Sequence, residues 1–215
     1  MRDDIRRTAT PKDNLINEII DIEWNMFDKV NNIGGRAGCQ DDGWTFYVNR
    51  FSQFAIYNVD VLTMYRADLA EAQRQGRNLI TEKYAYMMEF TDKANYDANL
   101  KAYMPVPSAE KLDLVEKILR ILVTKEAEFA QEYPGISGNS RPLTGTNKMD
   151  VSFMIYTIGE LKTYSERTLA AMYAALTEMI AKGISPSYMI HKNTVEFYGY
   201  DDIEDAENKI LSGRI

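Results

Sequence analysis

Apolar side chains recur at three- and four-residue steps through most of this chain, the spacing that lines one face of a helix. Ile16, Ile19, Ile20, Phe27 and Val30, with Glu23 in the same stripe, predict a first helix. It opens at Thr10-Pro11, a cap followed by proline at the first helical position, and closes at Gly34-Gly35. A second helix is predicted to start near Asp41-Asp42 and run to Arg74, with Gly76 supplying the turn; a third covers Leu79 to Thr91. A short segment over Tyr96 to Tyr103 leads into the connector Pro105-Val106-Pro107. Ser108 then caps a fourth helix over Ala109 to Tyr133. Asp150 is expected to cap a long helix closing at Gly183, and Ser185-Pro186 to open another reaching Gly199. Asp201 or Asp202 caps a last helix over Ile203 to Leu211. Between Gly43 and Pro105 the chain has a single glycine, Gly76, and no proline, too little punctuation for a multistranded β domain. The expected fold is all-α: a single-domain helical bundle over residues 1–215, of about six to eight helices, with no significant β-sheet. Residues 1–10 are expected to be a flexible N-terminal segment and residues 134–148 the longest loop.

The second predicted helix carries two apolar stripes. Tyr47, Phe51, Phe54, Ala55, Leu62, Tyr65 and Leu69 form one; Phe46, Tyr57, Val61 and Met64 form another roughly 120° away. A helix apolar on both stripes is buried on both, and Arg50 and Gln53 lie inside the second. A buried guanidinium needs a carboxylate or phosphate partner, because desolvating an unpaired ion is costly. Asp41, Asp42, Glu23 and Glu160 are the carboxylates considered. Two outcomes follow: an internal pair that fixes the bundle, or an arginine that meets an anionic ligand. Glu160 and Tyr164, with Thr157 and Thr168, form a polar strip beside Met154, Ile158, Leu161, Met172, Leu176 and Met179. Arg141, Pro142 and Thr144 precede that helix and are placed to fold over it. The loop from Gly34 to Asp42 has glycines that permit close backbone approach, and the helix after it presents free N–H groups to an anion. Asp41 and Asp42 oppose that reading, since as N-caps they occupy those N–H groups.

Charge and composition narrow the partners. Lys plus Arg total 25 and Asp plus Glu 32, a formal net charge of −7. No basic stripe is present, which argues against nucleic acid. Arg2, Arg6 and Arg7 are interrupted by Asp3 and Asp4 and read as a solvated terminus. No run approaches the ~18 apolar residues of a membrane span, and Met1-Arg2-Asp3-Asp4 lacks a signal-peptide core. A soluble, cytoplasmic protein with no membrane contact is expected. One cysteine and one histidine exclude a Cys/His zinc cluster and the paired Glu-x-x-His motifs of di-iron bundles, so no metal site is expected. Cys39 is read as a buried structural cysteine and His191 as a packing or surface residue. The 14 tyrosines and 11 methionines read as packing at the core boundary. No phosphate-binding loop, dinucleotide fingerprint or hydrolase elbow is present.

One block is distinctive: Glu23-Trp24-x-Met26-Phe27-x-x-Val30-Asn31-Asn32-x-Gly34-Gly35-Arg36-Ala37-x-Cys39-Gln40-Asp41-Asp42, followed by Thr45-Phe46-x-x-x-Arg50-x-Ser52-Gln53-Phe54. With Glu82-Lys83-Tyr84-Ala85-x-Met87-Met88, Tyr133-Pro134, Arg141-Pro142 and Glu160-x-x-x-Tyr164-Ser165, it resembles a bacterial family catalogued as domain of unknown function 4125. The resemblance spans nearly the whole chain and implies a bacterial cytoplasmic origin, but supplies no activity, cofactor or catalytic residue. The functional expectation therefore rests on pattern. It is a small-molecule-binding domain for a polar or anionic ligand, whether or not it is an enzyme. Its ligand contacts would come from Arg36, Gln40, Asp41, Asp42, Arg50, Gln53, Glu160 and Tyr164. The alternative is a protein-interaction or scaffold module in which the same cluster is purely structural.

Overall fold

Local capping chemistry sets most helix boundaries in the computed structural model, which describes residues 6–7, 10–31, 35–145 and 151–213. Helix α1 (Pro11–Phe27) opens with a reciprocal capping box: the Thr10 hydroxyl accepts from the Asp13 amide, and the Asp13 carboxylate accepts from the Thr10 amide, both at 3.1 Å. Helix α4 (Leu79–Thr91) is capped by Asn78, α6 (Ala109–Glu132) by Ser108, α10 (Pro186–Phe197) by Ser185 and α11 (Ile203–Leu211) by Asp202. Those elements lie where periodicity and caps predict them.

Others divide more finely than expected. Among the described residues there are eleven α-helices, not six to eight, and no strand. The predicted second helix is two, α2 (Gly43–Phe54) and α3 (Val59–Arg74). The break falls at Asn58, whose side chain accepts from the Val61 amide at 3.0 Å and starts α3 afresh. The apolar stripe continues through the break because both helices bury a face in one core, so periodicity alone conceals it. The predicted long helix before Gly183 is likewise α8 (Phe153–Leu161) and α9 (Glu166–Ala181), interrupted where Ser165 caps α9. Ser152 caps α8; the expected cap Asp150 lies outside the described residues, as do Asn32, Ile33 and Gly34, and α1 closes at Phe27. The expected loop over 134–148 begins with a helical turn, α7 (Pro134–Gly138). Its amides at Gly135 and Ile136 donate to Glu207 of α11 at 2.6 and 2.8 Å. A short α5 (Lys93–Asn95) precedes single π and 3-10 turns before the proline connector.

Two apolar clusters hold these helices. The larger joins α1, α2, α3, α6 and α9 through Ile16, Ile19, Tyr47, Phe51, Leu62, Leu69, Ile118, Leu169 and Leu176. The smaller joins the end of α6 with α7, α10 and α11 through Phe129, Tyr133, Ile136, Val195, Ile203 and Ala206. Each valine, leucine, isoleucine or phenylalanine among them contributes about 1.5–3 kcal/mol on burial. Helix α4 lies against α8 at Gly159, where an added Cβ would sit 2.6 Å from Met87 Cγ and 2.8 Å from the Lys83 carbonyl oxygen. That close approach brings Lys83 beside Glu160. Of the segment expected to be flexible, residues 1–5, 8 and 9 lie outside the described residues. Arg7 donates its amide to the Tyr47 hydroxyl at 2.7 Å and Arg6 pairs with Asp21, so these two arginines lie against α1 and α2.

Candidate functional site

The eight residues singled out from the sequence fall into two groups. Arg36, Gln40, Asp41 and Asp42 close the turn between α1 and α2. Arg36 reaches Asp41 at 2.8 Å, Asp28 at 2.7 Å and the Gln40 carbonyl oxygen at 2.7 Å. The buried Gln40 amide donates to the carbonyl oxygens of Phe27 and Val30 at 2.9 and 3.1 Å, and its oxygen accepts from the Ala37 amide at 2.9 Å. It thereby fastens the turn to the last residue of α1 and to the segment just after it. Asp42 accepts from the Thr45 amide at 3.0 Å and caps α2; that bond holds its carboxyl below the usual range. Because Gln40 takes the inward position of this turn, Cys39 points outward. It is exposed, not buried as the sequence led us to expect.

The second group meets inside the bundle. Arg50, 4% exposed, makes a bidentate pair with the fully buried Glu23 of α1: Nε to Oε2 at 2.7 Å and Nη2 to Oε1 at 2.6 Å. Its Nη1 donates to Glu160 at 2.8 Å and to the Gln53 side-chain oxygen at 2.5 Å. Glu160 also accepts from Lys83 of α4 at 2.5 Å and from the Tyr164 hydroxyl at 2.7 Å. Glu23 accepts from the Tyr65 hydroxyl of α3 at 2.6 Å. The guanidinium lies 4.5 Å from the Phe54 ring centroid. Of the partners proposed for Arg50, Glu23 and Glu160 are the ones it meets; Asp41 and Asp42 are engaged in the α1–α2 turn. Burial alone would push the Glu160 carboxyl up, but Arg50, Lys83 and the Tyr164 hydroxyl hold it well below the usual carboxylate range. Burial, reinforced by the neighbouring carboxylates, pushes the Tyr65 and Tyr164 hydroxyls far up. At neutral pH Arg50 and Glu160 are thus held charged, and Tyr65 and Tyr164 neutral.

Lys83 and Tyr65 were not picked out from the sequence as site residues. The signal for Lys83 is a cation at the three- and four-residue steps that also place Ile80 and Met87 in the buried face of α4.

The network reaches the surface at Glu160, whose side chain is 16% exposed. There the Lys83 ammonium lies 3.4 Å from the Tyr156 ring centroid, and the Arg141 guanidinium 4.6 Å from the same centroid. The loop reaches this face because the Phe153 amide donates to the Pro142 carbonyl oxygen at 2.9 Å, which ties residues 141–143 to the start of α8. The half-buried Tyr84 adjoins, stacked on Phe27 at 6.4 Å. Burial raises its hydroxyl, aided by Tyr156 and Cys39. Among the described residues, Lys83 has one hydrogen-bond acceptor, Glu160, and Arg141 has no carboxylate partner. The cavity at the inner side of the network, lined by Phe54, Tyr57, Val61, Leu62, Tyr65, Tyr164 and Met172, measures about 10 Å³, room for about one water.

Elsewhere, His191 contacts Glu126 at 2.9 Å and stacks on Phe129 at 4.1 Å, a packing role. Among the described residues no three His, Cys, Asp or Glu side chains come together as a metal-binding group, and no helix is long and apolar enough to cross a membrane.

No curated protein and no solved structure matches this chain. A family model does, over residues 13–208, which include both the α1–α2 turn and every member of the buried network. The chain therefore belongs to the family described as protein of unknown function (DUF4125).

Proposed function

We propose that this protein binds a small anionic ligand at the outer end of the buried network, where Lys83, Gln53, Tyr84, Tyr156 and Arg141 meet. The observation that carries this reading is a charge imbalance. Among the described residues, Arg50, Lys83 and Arg141 bring three positive charges to a region where Glu23 and Glu160 supply two negative ones. Lys83 is almost fully buried and gives one of its three N–H groups to Glu160, which leaves donors in a poorly hydrated place. An anion between Lys83 and Arg141 would balance the charge and accept those hydrogen bonds. On this reading Arg50 and Tyr164 are the frame, Gln53 and Glu160 border the ligand, and Arg36, Gln40, Asp41 and Asp42 fix the adjoining turn. The ligand is small, because the net charge of −7 and the lack of a basic stripe oppose a polyanion such as nucleic acid. The protein works in the bacterial cytoplasm, where an exposed unpaired thiol such as Cys39 stays reduced.

The test is thermal unfolding with inorganic phosphate, sulfate and small carboxylates, on the wild type and on Arg141→Met. A ligand at one hundred times its Kd raises the midpoint by roughly 5–10 °C for a chain of this size. Arg141 is exposed, so its substitution leaves the fold intact and is expected to remove most of that rise. No rise with any anion, or an equal rise in the variant, overturns the proposal.

A second reading, the interaction module, draws on one observation. Tyr103, at the end of the 3-10 turn, and Val106, on the connector before α6, are 86% and 93% exposed. Large apolar side chains so exposed close together favour a protein contact. Loss of self-association or partner capture in Tyr103→Ser with Val106→Ser would support it.

A further inference from the structure

A cavity of about 320 Å³ lies between the end of α6, the end of α9 and the start of α10, in a part of the molecule separate from the ion network. Its walls are Phe129, Ile184, Tyr188 and Met189, and its rim carries Glu128 and Glu132. The two glutamates are one turn apart on α6, so both carboxylates serve the same face. Its volume falls at the lower end of the size range of small-molecule sites.

Its chemistry is one-sided. None of the lining residues is a lysine or arginine. Glu128 pairs with Lys125 at 2.6 Å along the exposed face of α6, while among the described residues no cation pairs with Glu132. The α6 helix ends at Glu132 and α9 at Ala181; their last carbonyls at Phe129, Glu178, Met179 and Ile180 already accept backbone amides, so the anionic character here comes from the two glutamates and from the negative ends of the two helix dipoles. The opposing element is the start of α10, where the Tyr188 amide donates to the Ser185 hydroxyl at 3.3 Å and is thereby already satisfied. Aromatic and thioether walls accept an alkyl chain and also attract a cationic head.

We infer that this cavity binds an alkylammonium group, its charged end between Glu128 and Glu132 and its chain against Phe129, Tyr188 and Met189. Such a group comes either from a free aliphatic amine or from a lysine side chain of a partner. The inference is independent of the anion site: the two regions share no residue, and the ligands have opposite charge.

The experiment is titration calorimetry of the full chain with n-hexylamine, methylamine and hexanoate. Hexylamine is expected to bind with a Kd of about 1 mM or tighter. Methylamine, which lacks the chain, is expected to bind at least about tenfold more weakly, since each buried methylene adds to the affinity. Hexanoate is expected not to bind. The double substitution Glu128→Gln with Glu132→Gln alters two exposed positions and is expected to weaken hexylamine by about tenfold or more. Equal binding of hexylamine and methylamine would mean charge attraction without a pocket and overturns the inference. Undiminished hexylamine binding in the double variant, or no heat from hexylamine in the wild type, also overturns it. Titration with Nα-acetyl-lysine amide then separates the sources. Tighter binding than hexylamine supports a partner's lysine, and weaker binding supports a free amine; both orders support the alkylammonium assignment.

Discussion

Arg36 and Arg50 each hold two carboxylates, and the two sites show how far the surroundings change what a pair is worth. Arg36 meets Asp28 and Asp41 in a turn open to water, with its side chain 45% exposed. Arg50 meets Glu23 and Glu160 at 4% exposure, with Gln53 taking a further N–H. In water, solvent competes for every charge and screens the attraction, so such pairs add little stability. Inside, each charge has already lost its hydration, and only its partners make that loss tolerable. The outer pair shapes a turn; the inner one joins α1, α2 and α8 so that none can shift without exposing a bare charge.

That contrast can be broken most severely at Arg50. Arg50→Met leaves Glu23 buried with only the Tyr65 hydroxyl, and is expected to cost about 3–5 kcal/mol in urea unfolding. A loss near that of a surface pair would mean that the interior is wetter than its burial indicates. Next is Gly159→Ala. Its methyl would press on Met87 and on the backbone of Lys83, forcing α4 away from α8, with an expected cost of about 1–3 kcal/mol. The separation should also loosen the Lys83–Glu160 pair, which a double-mutant cycle with Lys83→Met would detect.

A smaller effect is expected from acid. The folded Glu160 carboxyl sits well below its ordinary value of 4.5, so the unfolded chain binds the proton more readily. Its contribution to stability is therefore complete above about that value, and is lost as pH falls toward the depressed folded value. Over that window the wild type is expected to lose stability with a slope of up to about 1.4 kcal/mol per pH unit from this group. Glu160→Gln should flatten the slope while lowering stability at neutral pH. Parallel curves for the two proteins would exclude Glu160 as the acid-sensitive group. The least effect is expected at Arg36→Met, whose urea midpoint should stay close to the wild type's. A large drop there would mean that the α1–α2 turn, and not the interior network, fixes the two helices.

How far the site was legible varies along the chain. Arg50 stood out because it interrupts an apolar stripe, and burial obliged it to find a carboxylate; Glu23 and Glu160 were among those considered. Which ones it would choose was not local information, since Glu160 lies 110 residues from Arg50 and 77 from Lys83. Arg141 was expected to fold over the α8 face, and it lies against Tyr156. Lys83 carries only a weak site signal in the sequence, because one lysine in an amphipathic helix ordinarily extends to water. The sequence puts Cys39 inside, but its polar neighbour Gln40 takes the inward position by bonding to the carbonyl oxygens of Phe27 and Val30.

The sequence by itself determined the helical class, the absence of β structure among the described residues and most helix starts. Those depend on contacts within four residues: periodic apolar side chains, proline at a first turn, and serine, threonine, asparagine or aspartate bonding to an amide three residues ahead. Asn58 and Ser165, which start α3 and α9, are local caps as well, but the apolar stripe runs on across each break because the flanking helices share one core, so periodicity hides both breaks and the tertiary structure reveals them. It alone decided that α4 approaches α8 closely enough at Gly159 to bury an ammonium beside a carboxylate. Ion pairing at that depth depends on which helices lie within a few ångströms of one another, and helix packing is a property of the whole chain.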